Sequence, residues 1–306
     1  MTSTAIALTD LTKTYGSRRG LDGLSLDVRA GEVFGYLGPN GAGKTTTIRL
    51  MLDLIRPTAG SVSVLGMEPR TAGPQLRQRV GYLPGDFLVD GRQNVGAYLR
   101  FLAGLRGGVP RERIDGLAER LGLDQTAKIR SLSKGNRQKV GLVQAFMHRP
   151  GLLILDEPSS GLDPLVQQTF LDLVSEAASE GTTVFMSSHV MSEVEAVADR
   201  VGIIRDGRLV TVDTVANLRA NAVRDIQVTF ERPVTTDEFG HLPGMADVTV
   251  DATGTTLTGR ITGSPDHLIK ALARYTVTGL RAAEPALEDL FHEHYAGAGT
   301  SPRVPA

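Results

Sequence analysis

The chain has no cysteine and no tryptophan, and only 6 of its 33 basic residues are lysine. Without cysteine there is no disulfide, no thiolate metal site and no thiol nucleophile, so the cytoplasm is the default compartment. Long hydrophobic runs are missing as well. The longest unbroken apolar stretches, such as Leu152 to Leu155, are four residues, against the roughly 20 that a membrane-spanning helix requires. The N-terminus carries no basic segment followed by an apolar one, so no secretory leader is expected. Charge of one sign is scarce too. The formal net charge is -1, and from Arg224 onward 11 acids against 7 bases leave -4, hence +3 before that point. Neither part has the basic footprint of a nucleic-acid binder. What is present, 41% hydrophobic and 22% charged residues over 306 positions, describes an ordinary globular protein with chain enough for one large or two modest domains.

The first 217 or so residues alternate strand-like and helix-like patterns. Leu24 to Val28 alternates apolar and polar residues. Glu32 to Leu37 leads into a glycine-rich turn and a helical run from Lys44 to Leu54, and Ser61 to Leu65 reads as a further strand. Leu152 to Leu155 has the continuous apolar character of a strand buried on both faces. A helix from Leu165 to Glu180, a strand at Thr183 to Met186 and a helix from Met191 to Ala198 follow. Val201 to Arg205 and Arg208 to Val212 flank Asp206-Gly207, a strong hairpin signal. Between about Asp86 and Met147 the pattern is mainly helical. The alternation predicts an α/β fold with a mostly parallel sheet, helices on its faces and a helical insertion over about 86–147.

Residues 218–306 have a different texture. Strands at Ile226 to Phe230, Val248 to Val250, Thr256 to Arg260 and Thr276 to Leu280 are expected, with helices over Pro265 to Arg274 and Pro285 to His294. That order suggests a small α+β domain of ferredoxin-like type, with a disordered tail after Gly297. His292-Glu293-His294 is not read as a metal site, because residues two apart on a helix diverge.

Gly38-Pro39-Asn40-Gly41-Ala42-Gly43-Lys44-Thr45 fits G-x-x-x-x-G-K-[ST], placed between a strand and a helix. Glycines let backbone N–H groups wrap an anion, and the following helix adds its positive end. Lys44 would carry charge to β- and γ-phosphates, and Thr45 a hydroxyl to magnesium. Downstream, Asp156 and Glu157 close the apolar strand Leu152 to Leu155. Ligands gather at the carboxyl ends of such strands, and adjacent strand residues point to opposite sides, which allows two jobs. Asp156 would hold magnesium, directly or through water, and Glu157 would polarise an attacking water.

With these residues in place, positions 1 to about 217 resemble the nucleotide-binding subunit of an ABC transporter. Gly38 to Thr45 matches its Walker A motif and Leu152 to Glu157 its Walker B motif. Leu132-Ser133-Lys134-Gly135-Asn136 looks like the signature motif, Ser160-Gly161-Leu162-Asp163 like the D-loop and Ser187-Ser188-His189 like the switch histidine. Tyr15 sits where an aromatic usually stacks on adenine. The chain is most similar to daunorubicin-resistance-type bacterial exporters, including the C-terminal extension and its ending Ala286 to Phe291.

The resemblance implies catalytic roles for Lys44, Glu157 and His189. It implies nucleotide contacts at Tyr15, Gly38 to Thr45, Thr46, Ser133, Gly135, Asn136 and Asp163. Magnesium would fall to Thr45 and Asp156, with Asp86 a candidate because Gly85 stands where the family usually has glutamine; otherwise Thr45 and Asp156 would hold it alone. Lys134 and Asn136 replace the commoner signature residues. The implied activity is ATP hydrolysis by two chains, taken as a homodimer, closing head-to-tail over two ATP. The hydrolysis would drive export of a drug-like or lipid-like compound through a separate membrane permease, with this chain on the cytoplasmic face. Two rivals are a soluble non-transport ABC ATPase and a regulatory ATP-binding module. The C-terminal domain is left with three roles: supporting the dimer, shielding the site or contacting the permease.

Overall fold

The computed structural model describes residues 3–89, 91–220 and 223–283. They fall into two compact units, residues 1–213 and 214–306. The first unit runs β1 (Thr4–Tyr15), β2 (Arg18–Arg29), β3 (Val33–Leu37), α1 (Lys44–Met51), β4 (Ala59–Val64), α2 (Pro69–Arg79) and β5 (Val80–Leu83). It continues with α3 (Val95–Leu105), α4 (Arg111–Arg120), α5 (Lys134–Phe146), β6 (Leu152–Asp156), α6 (Pro164–Ser179), β7 (Thr183–Ser188), α7 (Met191–Val197), β8 (Arg200–Arg205) and β9 (Arg208–Thr214).

Six strands form one sheet in the order β5-β6-β7-β3-β8-β9. Its four pairings from β5 to β8 are parallel. Strands β3, β6 and β7 are buried at every position, as expected of parallel strands covered on both faces. Strands β8 and β9 flank Asp206 and Gly207, whose φ angles of 49° and 78° are those of a tight hairpin turn.

The expectation of one mostly parallel sheet needs a correction. The segments at Leu24 to Val28 and Ser61 to Val64 belong to β2 and β4, which flank β1 in a separate antiparallel sheet of three strands. Their alternation already carried the distinction, since a strand solvated on one face favours antiparallel pairing. Apolar side chains of both sheets share a core, with Leu8, Leu24 and Leu26 from one, Phe34, Ile154 and Phe185 from the other, and Ile48 and Met51 of α1 among them. Helices α3 to α5 occupy the stretch read as a helical insertion.

The second unit consists of α8 (Val215–Ala220), β10 (Val223–Phe230), β11 (Met245–Val250), β12 (Thr256–Thr262), α9 (Asp266–Leu272) and β13 (Val277–Ala283). Its four antiparallel strands are ordered β11-β12-β10-β13. A short 3-10 turn at Thr236–Glu238 stands between β10 and β11. Phe230, Phe239 and Tyr275 pack with ring centroids 5.4 to 5.7 Å apart at the centre of its core. The expected helix over Pro285 to His294, the motif Ala286 to Phe291 and the tail after Gly297 lie outside the described residues.

Candidate nucleotide site

The turn between β3 and α1 depends on glycine. Gly43 has φ 116°, and a Cβ there would lie 2.8 Å from Leu21 Cδ2 and 3.0 Å from the Gly20 carbonyl, so both backbone and space exclude a side chain. Ala42, buried, donates its N–H to the Pro39 carbonyl at 3.1 Å and accepts from the Gly207 N–H at 2.9 Å, pinning the loop to the β8–β9 turn. Gly43 precedes α1 with no side-chain cap, and the first-turn N–H groups of such a helix form an anion site.

Lys44 is only 6% exposed. Its Nζ donates to the carbonyl of Gly38 at 2.5 Å and of Pro39 at 3.4 Å, and lies 3.2 Å from Glu157 Oε1. That approach lacks hydrogen-bond geometry, so Glu157 Oε1 is buried without a donor. The other oxygen, Glu157 Oε2, is 2.6 Å from His189 Nδ1. An ionised carboxylate only accepts, so Nδ1 is the donor, and Nε2 is the ring nitrogen left for another partner. Glu157 itself has φ 48°, uncommon for a residue with a side chain.

Asp156, 1% exposed at the end of β6, accepts from Thr45 Oγ1 at 2.8 Å through Oδ2 and from Ser187 Oγ at 2.5 Å through Oδ1. Among the described residues it has no ion pair, and a buried carboxylate without a cation is costly. A hard divalent cation held by this oxygen, the Thr45 hydroxyl and substrate phosphates fits such a set, as magnesium commonly binds through one or two carboxylates plus phosphates. Asp86, the further metal candidate, is exposed. Gly85 lies beside Asp156: a Cβ added at Gly85 would lie 3.5 Å from the carboxylate. On β5, burial and the Asp156 charge push the Tyr82 hydroxyl up to about 12, so it stays protonated.

A cavity of about 440 Å³ is lined by Tyr15, Arg18, Arg19, Gly20, Pro39, Asn40, Gly41, Gly43, Lys44, Thr45, Thr46, Arg49 and Glu157. That volume suits a small-molecule ligand. Tyr15 is 46% exposed, leaving its ring area available to a flat partner. The signature and D-loop residues do not line this cavity. Ser133 caps α5 by accepting from the Asn136 N–H at 3.2 Å, and Asp163 caps α6 by accepting from Val166 N–H at 3.1 Å. The two segments touch each other: a Cβ on Gly135 would lie 2.5 Å from the Gly161 carbonyl, and Lys134 Nζ donates to Ser160 Oγ at 3.1 Å.

Sequence reasoning gave no role to Ser187, to the basic pair Arg18 and Arg19, or to Gln138. The buried Gln138 amide donates to the carbonyls of Pro158 at 2.9 Å and Glu157 at 3.4 Å. Its polar neighbours Arg137 and Lys139 hide it in the sequence, and only its burial shows that the amide needs partners.

A phosphate loop at the end of a buried parallel strand, with a carboxylate pair facing it from the end of a second strand of the same sheet, defines a P-loop nucleotide-binding protein. Residues 21–160 match the family described as ABC transporter. The daunorubicin resistance ATP-binding protein DrrA3 of Streptomyces coeruleorubidus is 34% identical over 294 residues, 94% of this chain and 93% of that protein. The probable multidrug ABC transporter ATP-binding protein YbhF of Escherichia coli K12 is 38% identical over 229 residues; the match takes in 73% of this chain but 39% of that longer protein. A solved structure of an ATP binding subunit of an ABC transporter superposes with TM-score 0.65 at 28% identity, covering 70% of this chain and 92% of that one. The chain belongs to the ABC transporter family of ATP-binding proteins.

Proposed function

We propose that this chain hydrolyses ATP to drive export of a drug-like or lipid-like compound through a separate membrane permease, working as a homodimer on the cytoplasmic face of the membrane. The observation that carries the reading is the convergence at the phosphate loop of Lys44, Glu157 and His189, and of Thr45 and Asp156. Lys44 and the first-turn N–H groups of α1 would hold the β- and γ-phosphates, and Tyr15 would stack on the base. Magnesium, when bound, supplies charge neutralisation on the phosphate oxygens, and Thr45 and Asp156 would hold it. Glu157 would orient the attacking water and accept its proton, while His189, fixed through Nδ1, would offer Nε2 to the γ-phosphate.

A bound triphosphate competes with Glu157 for Lys44, since both are anions claiming one buried cation. Binding would therefore release Glu157 Oε1 from the lysine at the moment it is needed. The signature residues Ser133, Gly135 and Asn136 stand outside the cavity of their own chain, which supports completion of the site by a second chain. Relatives named for multidrug and daunorubicin resistance support export. The exposed apolar side chains of Leu88 and, one turn apart on α3, Phe101 and Leu105 support a protein partner beside this unit.

The dimer has a direct test. Glu157→Gln protein with ATP and magnesium should double its mass in light scattering, and adding Ser133→Arg should return it to the monomer without loss of ATP binding. A single mass for all mixtures would remove the two-chain site.

A further inference from the structure

Helix α7 begins beside the switch loop, and its third residue, Glu193, is buried at 9% exposure. Ser159 Oγ donates to Glu193 Oε2 at 2.6 Å, and Ser188 Oγ donates to the same oxygen at 3.3 Å. Ser188 in turn accepts from the Val190 N–H at 2.9 Å. Both serines are themselves buried. Among the described residues Glu193 has no ion pair, so the hydroxyls, with the first-turn position on α7, are what stabilise its charge.

The two serines belong to two different loops. Ser159 stands two positions after Glu157, and Ser188 immediately precedes His189. The Glu157 N–H donates to the carbonyl of Ser187 at 3.1 Å and to its hydroxyl at 3.2 Å. Beyond Ser187 the tips meet through the His189–Glu157 side-chain contact at 2.6 Å, and the His189 side chain is 54% exposed. Little else packs the imidazole. Glu157 meanwhile holds a left-handed backbone at φ 48°, a conformation that persists where the surroundings over-determine it. On the far side Gln138 fixes the carbonyls of residues 157 and 158; on the near side the bracing passes through Ser159 to Glu193.

We propose that Glu193 is a positioning residue for hydrolysis: its carboxylate clamps the loop carrying Glu157 to the loop carrying His189. The assignment rests on the hydrolytic reading above. It predicts an effect on turnover and not on nucleotide affinity, because Glu193 does not line the nucleotide cavity. Misplacing a reacting group by about 1 Å can cost on the order of a hundredfold in rate.

The test uses the full chain and its variants, reading kcat, ATP affinity and thermal unfolding. Glu193→Ala should lower kcat by roughly ten- to a hundredfold and leave the ATP dissociation constant little changed. Glu193→Gln keeps an oxygen that accepts from both serines and should recover most of the loss. Ser159→Ala removes one hydroxyl only and should reproduce part of it, which keeps the test decisive even if Glu193→Ala folds poorly. The Glu193→Ala change should cost much less in a Glu157→Gln background than in the wild type, because one of the two groups that the clamp positions is already gone. Full kcat in both Glu193→Ala and Ser159→Ala, or an additive loss in the double variant, overturns the proposal while leaving hydrolysis intact. A wild-type chain that does not hydrolyse ATP, or a Glu157→Gln chain that does so normally, overturns the parent reading and the clamp with it.

Discussion

Replacing Glu157 with glutamine should slow ATP hydrolysis by about 10² to 10⁴-fold, the range for loss of a positioned base, while ATP binding is retained or tightened. The two effects have separate causes. The amide cannot accept the water proton, so turnover falls. It can still accept from His189 Nδ1, which now lies 2.6 Å from Glu157 Oε2, so the switch loop keeps its place. The Glu157 carboxylate also lies 3.2 Å from Lys44 Nζ and adds negative charge where a triphosphate must bind. Removing that charge relieves repulsion and frees the lysine. Phosphate release and a fluorescent-nucleotide titration measure the two separately. Hydrolysis close to the wild-type rate would show that another group serves as base.

Lys44→Ala should act with the opposite sign on binding. Charge-assisted hydrogen bonds contribute roughly 1.5–3 kcal/mol each, so losing the ammonium from the phosphates should weaken ATP binding about ten- to a hundredfold and abolish detectable hydrolysis. Arginine should not rescue it. Lys44 is 6% exposed and its Nζ reaches the carbonyls of Gly38 and Pro39 as a point donor, a geometry that a planar guanidinium does not reproduce. Equilibrium dialysis with ATP checks the affinity. Thermal unfolding checks that the fold survives the loss of the pairing with Glu157. The pair of variants is more informative than either alone, since bound but unhydrolysed nucleotide in one and unbound nucleotide in the other separates grip from chemistry.

What could be read from sequence follows from which interactions are local. The phosphate loop was legible because its geometry demands glycine at fixed offsets from a lysine, and the β8–β9 hairpin because Asp206-Gly207 meets the backbone angles of its turn. The central strands were legible from their unbroken apolar residues. Helix α2 escaped notice since Gly73 and Pro74 interrupt it, and Gly73 departs from helical angles there. The antiparallel sheet escaped because pairing of β1 with β2 and β4 is a long-range property that alternation hints at without naming partners. The same holds for the polar contacts around the site. Ser187 reaches Asp156 across 31 positions and Ser159 reaches Glu193 across 34, and no spacing rule connects them. The offset between Gly85 and Asp86 was likewise open in sequence, and only the chain path brings Gly85 to the Walker B carboxylate.

No helix among the described residues is long and apolar enough to cross a membrane. The central claim is the proposal that hydrolysis here drives transport through a membrane permease. The most direct measurement is affinity purification of tagged Glu157→Gln protein, with ATP, from the solubilised membranes of its own host, followed by mass spectrometry. The account predicts one multi-span protein recovered near stoichiometry with the bait. Recovery of soluble partners alone, with the bait absent from the membrane fraction, would contradict it and favour an ATPase that works away from the membrane.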